Sequence, residues 1–128
     1  MAKRRKVKLG VRKGGGPPPG YEWSVGILDF AAHEAAAVLG TSQYRHIAMQ
    51  VKQLAAQGDP THSAMVDVRQ VEDLWEIRDK GGPLGNLNIR AFFCVDNSRR
   101  ALIVLGLIVK KNDGKTPLGD KVRMRHRW

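Results

Sequence analysis

The chain of 128 residues carries one cysteine, Cys94. A single thiol forms no internal disulfide and no Cys-rich zinc site. Cys94 stands in an apolar run, where it reads as a small buried thiol. No apolar run approaches the ~18 residues that a membrane-spanning helix needs, so no span is expected. The N-terminus is basic but lacks the apolar segment of a secretory signal, and a cytoplasmic setting is the default expectation. No spacing matches a zinc finger, a Walker loop, a dinucleotide fingerprint or an EF-hand, and nothing marks a serine or cysteine nucleophile. Acidic residues are missing altogether from positions 1–20.

Basic residues are abundant. Lys and Arg number 22 against 12 Asp and Glu, a formal net charge of +10. An excess of that size favours a polyanionic partner and says nothing about fold. It is concentrated at the two ends. Residues 1–20 hold Lys3, Arg4, Arg5, Lys6, Lys8, Arg12 and Lys13, or +7. Residues 109–128 hold Lys110, Lys111, Lys115, Lys121, Arg123, Arg125 and Arg127 against Asp113 and Asp120, or +5. The stretch between is −2. With Gly14-Gly15-Gly16 and Pro17-Pro18-Pro19-Gly20, residues 1–20 read as an arm with little to bury, leaving 21–128 as one domain. Such an arm docks on phosphates, packs on a partner, or serves as a solubilising tail.

Trp23, Val25 and Ile27 alternate, which predicts a first strand over 22–28. Asp29 is placed to cap an Ala-rich helix over 30–39 that Gly40 closes. Thr41 or Ser42 caps a second helix running to 57 and stopped by Gly58-Asp59-Pro60. Strands are predicted over 65–71, 74–78, 88–95 and 101–108, the last as the central strand, with a helical stretch over 120–128. The order predicts a single α+β domain, with a helical hairpin on one sheet face and the other face open for function.

Period 2 puts Arg78 and Arg90 together on that open face, with Lys110 and Lys111 leaving the next strand. A groove of these cations suits a phosphate backbone. The competing reading pairs Arg78 with Glu76 or Asp79 and makes Lys110, Lys111 and Lys115 a solvated turn. His126 lies among Arg123, Arg125 and Arg127, which favours its neutral, proton-accepting form. Trp128 is placed to stack on a base, or only to pack. His33 and His46 read as ordinary helix residues.

Leu74-Trp75-Glu76-Ile77-Arg78, then Asn88-Ile89-Arg90-Ala91-Phe92-Phe93, then Gly106-Leu107-Ile108-Val109-Lys110-Lys111 with Lys115-Thr116-Pro117, resembles the RelE/HigB toxin superfamily, in its phage-derived Gp49-like (HigB-type) branch. The resemblance covers about residues 22–128. It implies a RelE/ParE-like toxin fold: an N-terminal strand and helical hairpin packed on a curved, mostly antiparallel sheet. It further implies the toxin of a toxin–antitoxin pair, an endoribonuclease cutting mRNA at the ribosome and silenced by a cognate antitoxin. The RNA 2′-hydroxyl attacks the adjacent phosphorus, with no metal and no cofactor. By this resemblance Arg78 and Arg90 hold the scissile phosphate, and Lys110 and Lys111 stabilise the transition state. His126 is a candidate acid or base, and Glu76 is a second candidate base. Lys3, Arg4, Arg5, Lys6, Lys115, Arg123, Arg125 and Trp128 are candidate RNA contacts. Replacing Arg90 is expected to lower cleavage with little effect on folding.

The sequence also departs from the family pattern. Phe92-Phe93 stands where the family's aromatic pair often ends in tyrosine, the C-terminal region has no tyrosine, and a basic arm precedes the first strand. These departures suit a second reading, a non-catalytic protein that binds nucleic acid or an assembly on the same fold. The superfamily also includes gyrase-poisoning members.

Overall fold

Apolar residues at alternating and helical spacings build one mixed sheet with helices against both of its faces. The computed structural model describes residues 7–9, 17–110 and 114–127, and for 7–9 only the backbone pairing. The elements are β1 (Val7–Leu9), β2 (Ser24–Leu28), α1 (Asp29–Val38), α2 (Thr41–Ala55), β3 (Val68–Val71), β4 (Leu74–Lys80), a 3-10 turn (Gly82–Leu84), β5 (Asn88–Asp96), β6 (Ala101–Val109) and α3 (Leu118–Arg127). The sheet runs β1-β2-β6-β5-β4-β3. Only β2 and β6 pair in parallel; the remaining neighbours are antiparallel. Central β6 is apolar along almost its whole length, as a strand covered on both faces must be.

Ile47, Val51, Leu54 and Ala55 recur at helical spacing and put one face of α2 on the sheet. They pack with Ile77, Ile89, Ala91, Phe93, Leu102 and Leu107. The other face carries a second cluster of Leu28, Ala31, Leu74, Phe92, Cys94, Ile103, Leu105, Ile108 and Met124. The expected open face is therefore covered in part: α3 lies on it through fully buried Met124. The basic C-terminal sequence hid a single apolar anchor.

A bulge makes room for this packing. Phe92 pairs with Gly106 and Phe93 with Val104, so Leu105 is the extra residue of β6. A Cβ at Gly106 would meet Met124 Sδ and Cε at 2.9 Å and the Arg127 guanidinium. Only glycine lets α3 approach this closely.

Local signals were partly displaced. The strand expected over 22–28 is β2 and begins at Ser24, because the N–H groups of Glu22 and Trp23 donate instead to the Ala55 carbonyl at 2.9 and 3.0 Å. Asp29 makes no side-chain cap; Leu28 holds the cap position and Asp29 opens the helix. Gly40 caps α2, its N–H donating to Gln43 Oε1 at 2.9 Å. Within the expected arm, Val7–Leu9 pairs antiparallel with β2, so three of its residues extend the sheet edge.

Candidate functional site

Antiparallel pairing sets Arg78 of β4 directly opposite Arg90 of β5. Both line a cleft of about 450 Å³ together with Asp67, Arg69, Asp79, Lys80 and Asn88. Pairing of β3 with β4 ends at Val68 and Ile77, so residues 78–80 of β4 run on beyond it.

The two arginines play different parts. Arg78 is held by Glu76, its Nε donating to Oε1 at 2.8 Å, while its side chain stays 21% exposed. Arg90 is only 1% exposed. Its Nη1 donates to Thr116 Oγ1 at 2.7 Å, and its Nη2 donates to the Gly114 carbonyl. The Thr116 hydroxyl donates onward to Glu76 Oε2 at 2.7 Å. Glu76 has no exposed surface, so this carboxylate is bracketed by Arg78 on one oxygen and Thr116 on the other. Burying charges is tolerated only with such partners. The network ties β4, β5 and the segment before α3 together. Truncating Arg90 would leave the Thr116 hydroxyl and the Gly114 carbonyl short of a donor, so a loss of roughly 3 kcal/mol is expected. That replaces the expectation that folding would be little affected.

Lys110 flanks the cleft. Its backbone N–H donates to the carbonyl of Asn88, a cleft residue, at 2.8 Å, and its Nζ donates to the Lys115 carbonyl at 3.0 Å. Lys115 itself is exposed. His126 is elsewhere, in a second cleft of about 340 Å³ with Asp73, Leu74, Val122 and Arg125. Leu74 and Arg78 stand four residues apart on β4, roughly 13 Å. The expected grouping of His126 with the arginine pair therefore divides between two clefts. Arg123 pairs with Asp120 at 3.3 Å, and Arg125 with Asp73 at 3.0 Å and Glu72 at 3.4 Å. Lys3, Arg4, Arg5, Lys6, Lys111 and Trp128 lie outside the described residues.

Phe93, where the family pattern often has tyrosine, is 1% exposed in the core beneath the helical hairpin. That departure belongs to packing on the far face. Sequence reasoning missed Arg69, Lys80, Asn88 and Thr116. Lys80 carried a signal, since it follows Arg78 by two positions on one strand. Arg69 carried none, because its place depends on where β3 ends. Among the described residues no group of three or more His, Cys, Asp or Glu is gathered as metal ligands, and no helix is long and apolar enough to cross a membrane.

Fold and site together define an α+β domain with a basic cleft at one end of a mixed sheet, braced from behind by a buried Glu–Thr–Arg network. The chain belongs to the family described as Phage derived protein Gp49-like (DUF891), whose model matches residues 37–128. Neither the curated proteins nor the solved structures give a match.

Proposed function

We propose that the cleft at Arg78 binds an RNA backbone and that the protein is a toxin of RelE/HigB type, cleaving mRNA at the ribosome without a metal and restrained by an antitoxin. The observation that carries this is the cleft itself: Arg69, Arg78, Lys80 and Arg90 converge with Lys110 one strand away. Cations arranged this way hold a phosphate and offset charge that builds up on it during displacement. Arg78 is the phosphate-holding group, since its guanidinium is fixed by Glu76 yet reaches solvent. Arg90 acts from behind, holding Thr116 and Gly114. Lys110, Lys111 and Lys115 supply the loop cations. Arg123, Arg125, His126, Trp128 and the basic arm extend the RNA-contacting surface.

Transcript ends are mapped after brief induction of the free protein. The wild type is expected to create new ends within coding regions. Arg78→Ala should lower their yield at least tenfold, but it also strips buried Glu76 of its ion-pair partner. Arg78→Lys keeps a cation beside Glu76 without the planar fork, and so separates loss of phosphate binding from loss of stability. Unaltered transcripts from folded wild-type protein would refute cleavage.

One observation favours the second reading, in which the same surface binds RNA or an assembly without cutting it. Glu76 has both oxygens occupied and His126 lines another cleft, so neither candidate base stands free beside Arg78. Retained RNA binding without new ends would select it.

A further inference from the structure

Alanine recurs where the two hairpin helices approach the sheet. Ala31 and Ala35 are the buried residues of α1. With Ala48 of α2 and Ala91 of β5 they line a cavity of about 170 Å³ between the helices and the strands β2, β5 and β6. Four methyl side chains leave space that larger ones would fill, whereas close-packed interiors hold few voids larger than a water molecule. The cavity exceeds the roughly 150 Å³ of an apolar hollow that takes up benzene. It is also open to entry. Val25, Ile27 and Val104 line it from β2 and central β6, yet all three stay part exposed.

The polar groups of its wall lie on one stripe. Tyr44, Ala48 and Lys52 follow one another at four-residue steps along α2, and all three line the cavity. Tyr44 and Ala48 are half-buried and Lys52 is exposed, so the stripe forms a rim. Lys52 is the one charged residue among the described residues that line the cavity, and its ammonium pairs with no carboxylate among them. Val25 and Lys52 also line an open cleft of about 340 Å³, so Lys52 stands where the two spaces meet.

We propose that this cavity binds a small amphiphilic anion, a linear carboxylate, with its chain among the alanines and its head on Lys52. An almost wholly apolar hollow with one polar group at its mouth is the ordinary form of such a site. Its volume suits a chain of about six to eight carbons. Each methylene moved there from water tightens binding about fourfold. A single cation at the rim selects an anionic head over a neutral or cationic one. The assignment is independent of the cleavage reading, since Ala91 points to the sheet face opposite that of its neighbour Arg90.

The test uses the full chain, titrated with acetate, butyrate, hexanoate, octanoate and dodecanoate, and with octanol as the neutral control. Affinity is expected to rise about fourfold per methylene from butyrate to octanoate and to level off beyond it. Ala48→Leu, which fills the cavity, should weaken octanoate at least tenfold at unchanged helical signal. Lys52→Gln should weaken octanoate about fivefold and leave octanol unchanged. Octanoate bound no more tightly than acetate overturns the site, and so does binding that Ala48→Leu leaves intact. Octanol held as tightly as octanoate, with no effect of Lys52→Gln, overturns the choice of a carboxylate and leaves an unselective apolar hollow. A wild type that sediments as a dimer, and an Ala48→Leu variant that sediments as a monomer, would assign the rim to a second copy and overturn the proposal. If Ala48→Leu melts early, methyl resonances of the wild type decide: octanoate must shift those of Ala35, Val51 and Val104, and shifts confined elsewhere overturn the site.

Discussion

Arg127 and Glu34 form a two-pronged ion pair, Nη1 to Oε1 at 2.7 Å and Nη2 to Oε2 at 2.5 Å, that fastens the end of α3 to α1. The same guanidinium donates to the bulge carbonyl of Leu105 at 3.0 Å and lies 4.7 Å from the centre of the Phe30 ring. One cation thereby joins a helix, a bulge and an aromatic face. Arg127→Ala removes all three contacts and leaves Glu34 without its partner. The expected loss is roughly 2 kcal/mol by urea denaturation. Burial pushes the Glu34 carboxyl up, but the hydrogen bond and charge of Arg127, with the charge of Arg123, hold it below its ordinary 4.5. A carboxylate with a lowered folded-state value adds stability that is complete above the ordinary value. That stability is lost as pH falls through the lowered one, so acid below about pH 4.5 should loosen α3 in the wild type. Glu34→Gln should flatten that dependence.

Gly106→Ala tests the close approach of α3 to β6. The added methyl meets Met124 Sδ and Cε at 2.9 Å, and Met124 is wholly buried. Arg127 can swing aside at the price of its contacts, but the thioether has little room. A cost of about 1–3 kcal/mol is expected for such overpacking. Paired with Arg127→Ala, the effects should fall short of additive, since both act on one helix seat. Thermal melts of the two single variants and the double variant measure this.

The strands of this fold were legible because period-2 patterning survives in 74–78 and 88–95, and because 101–108 is apolar enough to be central. The helical hairpin was legible from its Ala-rich and 3.6-period runs. The covered second face was not. Met124 is one methionine among Arg123, Arg125 and Arg127, and its seat depends on a bulge and on Gly106, which no local pattern announces. In the site, alternation put Arg78 and Arg90 on one face; that they stand directly opposite depends on the register of β4 against β5, which alternation does not fix. Their division of labour was not legible either, because burial of Arg90 depends on Thr116 arriving from 26 positions away. His46 read as an ordinary helix residue, since its partner Asp79 lies 33 positions along the chain.

Thr116→Val probes that network at nearly constant volume. The hydroxyl accepts from Arg90 and donates to Glu76, both at 2.7 Å. Its removal leaves a buried guanidinium and a buried carboxylate each short of one bond, and about 2–4 kcal/mol of destabilisation is expected. Thr116→Ser should keep the hydroxyl and lose under about 1 kcal/mol. A Val variant as stable as the Ser variant would show that the hydroxyl contributes little to the network. Urea denaturation separates the two, and Arg90→Ala should add little to Thr116→Val because the network is already broken.

The lone cysteine gives a probe of opening on the same face. Cys94 is 3% exposed and unpaired, packed in the cluster that α3 completes. Burial, with the charge of Asp96 second, pushes its thiol up to about 12. Only the thiolate attacks a disulfide reagent, so the folded protein has almost no reactive form at neutral pH. Labelling at pH 8 should therefore be slow in the wild type and immediate in denaturant. Variants that unseat α3, Arg127→Ala and Gly106→Ala, should label at least tenfold faster while α2 keeps its helical signal. If labelling quickens only in step with global unfolding, Cys94 is sealed by the sheet as a whole and α3 is not a separate lid over it.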